Sequence, residues 1–241
     1  MALPHEVVRL AAGMHFAFLD QSLTLPDLLD ETGHLKLLRA AEYDAFPPQV
    51  LQLWCNRHAR YGVPTVELIE WLRPLIAERR TIEIGAGNGD LAHHLGIPAT
   101  DSWIMTNPTI AAHYRRFGQP VIDYPPTVER LDAAAAIEKY QPEIVLASWV
   151  TQWIDPHLAP PEGGGSIFGV KEDRLLATGA TYIFIGNLAV HGHKVIRKLP
   201  HIELALPFLR SRTFEPALDR VMIWNGDGLA FADNSRTGKY P

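Results

Sequence analysis

The ten residues Thr81-Ile-Glu-Ile-Gly-Ala-Gly-Asn-Gly-Asp90 constrain this chain more than any others. A short β-branched run reaches a turn with glycine at 85, 87 and 89, and a helical stretch follows over 90–95. Glycines at alternate positions let the backbone take torsions closed to other residues and let a ligand approach main-chain atoms. In an open α/β sheet such a turn lies at the carboxyl ends of the strands, where ligands bind. The spacing argues against the dinucleotide fingerprint G-x-G-x-x-G, because glycine already follows Asn88 and position 90 is Asp.

The rest of the chain supplies alternating elements. Strands are predicted at 81–84, 99–104, 120–123, 143–148, 181–185 and 220–224, with one more at 202–206 or within 212–214. Helices are predicted at 90–95, 109–117 and 128–140. Ahead of them, helical spacing covers 6–19, 26–38, 49–61 and 65–79, with Pro74 placed to kink or shorten the last. The pattern predicts an α/β fold: a doubly wound, mostly parallel seven-stranded sheet with an antiparallel C-terminal strand. Residues 1–64 would form an N-terminal helical extension or cap, and 65–241 the α/β domain. The stretch 156–169, which holds Pro-Pro and Gly-Gly-Gly, is expected to be a mobile lid or a loop that touches a ligand.

Composition narrows the function. Hydrophobic residues make up 47% of the 241 and charged residues 20%, enough for a packed core. The net charge is -5 and no lysine or arginine run occurs, so long nucleic acid is not an expected partner. Cys55 is the single cysteine, which excludes an internal disulfide framework and suits a reducing cytoplasm. Arg9 and His15 interrupt the N-terminal apolar run, and the apolar stretch 182–190 is too short to span a bilayer. A soluble cytoplasmic protein without a membrane partner is the expectation.

From Glu83 to Gly89 the pattern Glu-x-Gly-x-Gly-x-Gly resembles the first motif of class I S-adenosylmethionine (SAM)-dependent methyltransferases. The order of elements over about 65–225 resembles that superfamily too. The resemblance implies SAM as cofactor, with Gly85, Gly87 and Gly89 shaping its pocket and Glu83 supporting it near the cofactor's amino group. It implies an acid ending the second strand, whose oxygens accept from the ribose hydroxyls, a place filled by Asp101, sixteen residues after Gly85. It further implies Asp123 after the third strand for the adenine amino group. Ser148 and Trp149, ending the fourth strand, would face both cofactor and acceptor. Trp149 or Trp153 offers an aromatic wall for a sulfonium. Helical additions like the first sixty or so residues often cap the acceptor site in this superfamily.

The expected activity is methyl transfer to an N or O atom of a small-molecule acceptor. The fourth-strand segment lacks the Asn/Asp-Pro-Pro-Tyr/Phe motif of enzymes that methylate exocyclic base amines or glutamine, and it lacks a Pro-Cys pair. A base is needed only if the acceptor must lose a proton. Asp155, His157, Asn187, His191 and His193 follow strands, and His191 is the preferred catalytic base. No metal is expected: neither His93-His94 nor His191-x-His193 has a carboxylate or cysteine at zinc-like spacing. Two other readings stay open: a non-catalytic SAM-binding or interaction protein on the same fold, and a nicotinamide-dependent oxidoreductase.

Overall fold

The structure is a computed structural model and describes residues 8–10, 14–16, 20, 22–116, 118–157, 165–227 and 229. Its centre is a sheet of seven strands: β1 (Thr81–Ile84), β2 (Ala99–Asp101), β3 (Val128–Arg130), β4 (Ile144–Ser148), β5 (Thr181–Asn187), β6 (Ile202–Leu204) and β7 (Asp219–Trp224). Across the sheet they lie in the order β3-β2-β1-β4-β5-β7-β6. The first five pair parallel, whereas β7 runs antiparallel to both β5 and β6. This is the doubly wound, mostly parallel α/β fold expected from the sequence.

β4 and β5 are apolar nearly throughout and buried, as parallel strands covered on both faces must be. Alternation sorts their side chains. Ile144, Leu146, Ile183 and Ile185 meet Leu68, Leu72 and Leu91 on one face. Val145, Ala147, Tyr182 and Phe184 meet Ala136 and Leu175 on the other. The helices are α1 (Ala40–Asp44), α2 (Pro48–Arg57), α3 (Val66–Ile76), α4 (Asp90–Leu95), α5 (Pro108–Arg116), α6 (Ala133–Tyr140), α7 (Glu172–Leu176) and α8 (Leu188–His191). Pro74 is accommodated inside α3. Strand order reverses between β1 and β4, which opens a crevice at their carboxyl ends.

Three local expectations change. Within 6–19, Val8–Leu10 pairs antiparallel with Met14–Phe16 instead of forming a helix, since a short apolar run fits either period. Residues 26–38 are no helix. Leu29 bridges Leu35 around a turn in which Asp30 accepts from the Thr32 and His34 amides and Gly33 takes φ +82°. The third strand is not 120–123 but β3, cut from the predicted helix 128–140. Asp132 accepts from the Ala135 amide at 2.9 Å and so starts α6 late, while Pro125 and Pro126 keep the preceding segment out of the ladder.

The extension packs into its own core around Leu35, Tyr43, Trp54 and Cys55. It is pinned to the sheet domain where Gly62–Val63 pairs with Arg210–Ser211 and where Gln52 Nε2 donates to the Thr213 carbonyl at 3.0 Å. Among the described residues no helix is long and apolar enough to cross a membrane.

Thr65 joins these parts. Fully buried, its Oγ1 accepts from the Leu68 amide at 3.1 Å, capping α3, and donates to the Phe208 carbonyl at 3.1 Å. Thr65→Val keeps the shape but strands both groups, and it should cost about 2 kcal/mol in urea unfolding at an unchanged m-value. An unaltered midpoint would show that neither bond contributes.

Candidate functional site

A cavity of about 1490 Å³ opens in the crevice over β1, β2 and β4. A site for one drug-sized ligand occupies roughly 300–1,000 Å³, so this one has room for two ligands side by side. The glycine turn borders one side, Tyr61 and Gly62 of the extension another, and Ser148 and Trp149 close the end of β4.

The turn has the conformation its glycines allow. Gly85, Gly87 and Gly89 lie at φ +58°, +57° and +73°. A Cβ at 85 would fall 2.5 Å from Val150 Cγ1, and one at 89 would fall 2.8 Å from Val128 Cγ2. Side chains are therefore excluded by packing as well as by torsion.

Carboxylates surround the turn. Glu83 is buried at the floor, where its Oε2 accepts from the Ala92 amide in the first turn of α4 at 2.9 Å. Burial pushes its carboxyl up to about 8, with Asp90 and Asp101 nearby adding to the rise. Asp101 ties the end of β2 to the turn: Oδ2 accepts from the Gly87 amide at 3.0 Å and Oδ1 from the Trp103 amide at 2.9 Å. Burial raises this carboxyl as well. Beside it the Trp103 ring stacks on Tyr124, and Trp103 Nε1 is buried with no partner among the described residues.

Two residues that sequence reasoning passed over as turn filler are part of this wall. Asn88 and Asp90 are both buried and both held by Arg60 of the extension. Burial alone would raise Asp90, but His34, Arg60 and the Leu35 amide together hold its carboxyl below the ordinary value. Polar residues between and just after the glycines were the only available signal.

Asp123 is exposed and lies off the cavity, because the strand it was expected to follow is elsewhere. Asp132 and Ala133, which do follow the third strand, line the cavity instead. Asp ahead of an alanine-rich helical run is a recognisable cap and was the missed signal.

At the end of β4, Ser148 and Trp149 border the cavity as expected, with Trp149 at φ +60° and its ring 6.2 Å from that of Tyr61. His191 does not reach it. The imidazole sits edge-on behind Trp149 and against Phe184, at 5.1 and 5.0 Å between ring centres. Its Nδ1 accepts from the Asn187 amide at 3.1 Å, and burial, with Lys194 adding, pulls the pKa down to about 3. A neutral ring in that position packs the core and is no base for a ligand in the cavity. Asn187 is fully buried and caps α8, while His193 is exposed. The Asp155 carboxylate accepts from the His157 amide, and neither residue lines the cavity.

The expected lid lies partly outside the described residues, at 158–164. What is described of it closes on itself through bridges from Gln152 to Val170 and from Trp153 to Ser166. Among the described residues no three His, Cys, Asp or Glu side chains gather as metal ligands would.

No family model matches the sequence, and no curated protein is significantly similar to it. Among solved structures, SMU.776, a candidate methyltransferase complexed with SAH, aligns over 64% of this chain and 47% of its own, at 10% identity and a TM-score of 0.33. The chain thus spans about half the length of that protein. A likeness so low leaves the site to be read from its own residues.

Glu83 gives a pH signature. Its folded pKa of about 8 lies above the ordinary 4.5, so its contribution to stability is full at acid pH and is lost as pH rises through that window. Glu83→Gln keeps an acceptor for the Ala92 amide but cannot ionise. Melting curves from about pH 5 to about pH 8 should fall more steeply for wild type than for the variant. Parallel curves would mean that Glu83 ionises normally.

Proposed function

We propose that this chain is a SAM-dependent methyltransferase acting on an N or O atom of a small molecule. The observation that carries the reading is the neighbourhood of the α4 N-terminus. A nicotinamide dinucleotide would need that helix end free to receive its pyrophosphate. Here Glu83 occupies the Ala92 amide and Asp90 heads the helix, so two acidic side chains already fill the place where an anion would bind. Such a floor leaves no free amide at Ala92 for a phosphate.

The residues present suit SAM. Asp101 accepts from two backbone amides, and the Tyr124 and Ser102 side chains also hydrogen-bond it, so ribose hydroxyls would take the places that those two hydroxyls hold here. Asp132 and Ala133 take the place that Asp123 was expected to fill at the adenine edge. When bound, SAM supplies an electrophilic methyl group on a positively charged sulfur. The protein's part is alignment, with Trp149 and Tyr61 as aromatic walls on the side of the acceptor.

One observation favours a binding protein without catalysis: His191 is withdrawn from the cavity. Methyl transfer needs no base unless the acceptor must shed a proton, so the enzyme reading survives that loss.

Calorimetric titration with SAM and with its demethylated product SAH tests the proposal. Wild type should bind both, and Asp101→Asn should bind them at least about tenfold more weakly, the effect of losing a charged hydrogen-bond acceptor. If neither compound binds, the proposal fails; enhanced NADH fluorescence on titration would favour the oxidoreductase.

A further inference from the structure

We infer that Arg60 is a positioning residue for the glycine turn, which makes the N-terminal extension a working part of the cofactor pocket and not only a cap over an acceptor. The ligand half of this inference rests on the proposed function; the conformational half does not. Arg60 is 8% exposed, and all five of its N–H donors are engaged. Nε reaches Asp90 Oδ2 at 2.9 Å and Nη2 reaches Asp90 Oδ1 at 3.4 Å. Nη1 donates to Asn88 Oδ1 at 3.0 Å. The remaining bonds anchor the guanidinium in the extension, at the carbonyls of His58 (2.8 Å) and Gly33 (2.9 Å).

The turn answers with bonds of its own. Asn88 Nδ2 donates to the Ala59 carbonyl at 2.9 Å, and Asp90 Oδ1 accepts from the Leu35 amide at 2.9 Å. Asn88 and Asp90 flank Gly89, so the side chains on both sides of a left-handed residue are gripped by one planar cation. A segment with glycine at every second position loses more conformational freedom on ordering than any other composition. Asp101 restrains it at Gly87 alone. Residues 88–90 are also held by the bonds to Ala59 and Leu35 and by the Gly89 amide on the Ala86 carbonyl. Arg60 alone joins both flanking side chains, through a rigid fork that a lysine, with its single charged point, cannot reproduce.

Deleting Arg60 alone would leave Asp90 as an uncompensated buried charge and threaten folding. The test therefore uses Arg60→Met/Asp90→Asn, which removes both charges but keeps an acceptor for the Leu35 amide. Gln52→Ala is the control, since it loosens the same extension at Thr213, away from the turn. Two quantities are read on each protein: amide hydrogen exchange at Gly87 and Gly89 without ligand, and calorimetric affinity for SAH. In the double variant exchange at both glycines should rise, and SAH binding should weaken, each by at least about tenfold. Gln52→Ala should leave both readings at wild-type values even where its melting point falls. Unchanged exchange in a folded double variant overturns the inference, and so do equal losses in Gln52→Ala.

If the double variant does not fold, Arg60→Lys replaces it. Retaining the charge but losing the fork, it should give a partial rise in exchange at the two glycines, and wild-type exchange would overturn the inference. If wild type binds neither SAH nor SAM while exchange responds as expected, the proposed function falls and the positioning role stands.

Discussion

Three left-handed glycines in five residues cannot hold a shape by themselves, and much of this protein is arranged to hold it for them. Below the turn, Glu83 binds the first turn of α4 through the Ala92 amide. From β2, Asp101 binds Gly87, and from the extension Arg60 binds Asn88 and Asp90. Val150 and Val128 fill the spaces that a side chain at 85 or 89 would need. Backbone freedom lets the turn exist, and surrounding order makes it a single conformation.

The same restraints set the electrostatics of the pocket. Three buried carboxylates meet near the turn, and only Asp90 has a guanidinium partner. Asp90 is accordingly held low, while burial pushes Glu83 and Asp101 high. Near neutral pH the charge here is therefore smaller than three acids suggest, because Glu83 is largely protonated and Asp90 is neutralised by Arg60.

How far this could be read from sequence differs by element. β4, β5 and residues 221–224 of β7 were visible because strands in the middle of a covered sheet are apolar on both faces, and β1, which carries Thr81 and Glu83, was visible as a short β-branched run ending in the glycine turn. β3 has three residues, of which one is buried, so nothing local marks it as a strand. Its misplacement drew attention to Asp123, which lies off the cavity, and away from Asp132, which lines it. The segment 26–38 looked helical by spacing, but Asp30 and Gly33 close a turn whose local hydrogen bonds outcompete a helix.

The sequence by itself determined the glycine turn and the apolar central strands beside it, because torsional freedom and hydrophobic period are properties of neighbouring residues. The tertiary structure decided the rest. Whether His191 faces a ligand or the core depends on Phe184 and Trp149, and whether Asn88 and Asp90 are filler or anchors depends on Arg60, some thirty positions away. Contacts between residues so far apart in the chain leave no period or spacing to read, so only the packed molecule assigns them.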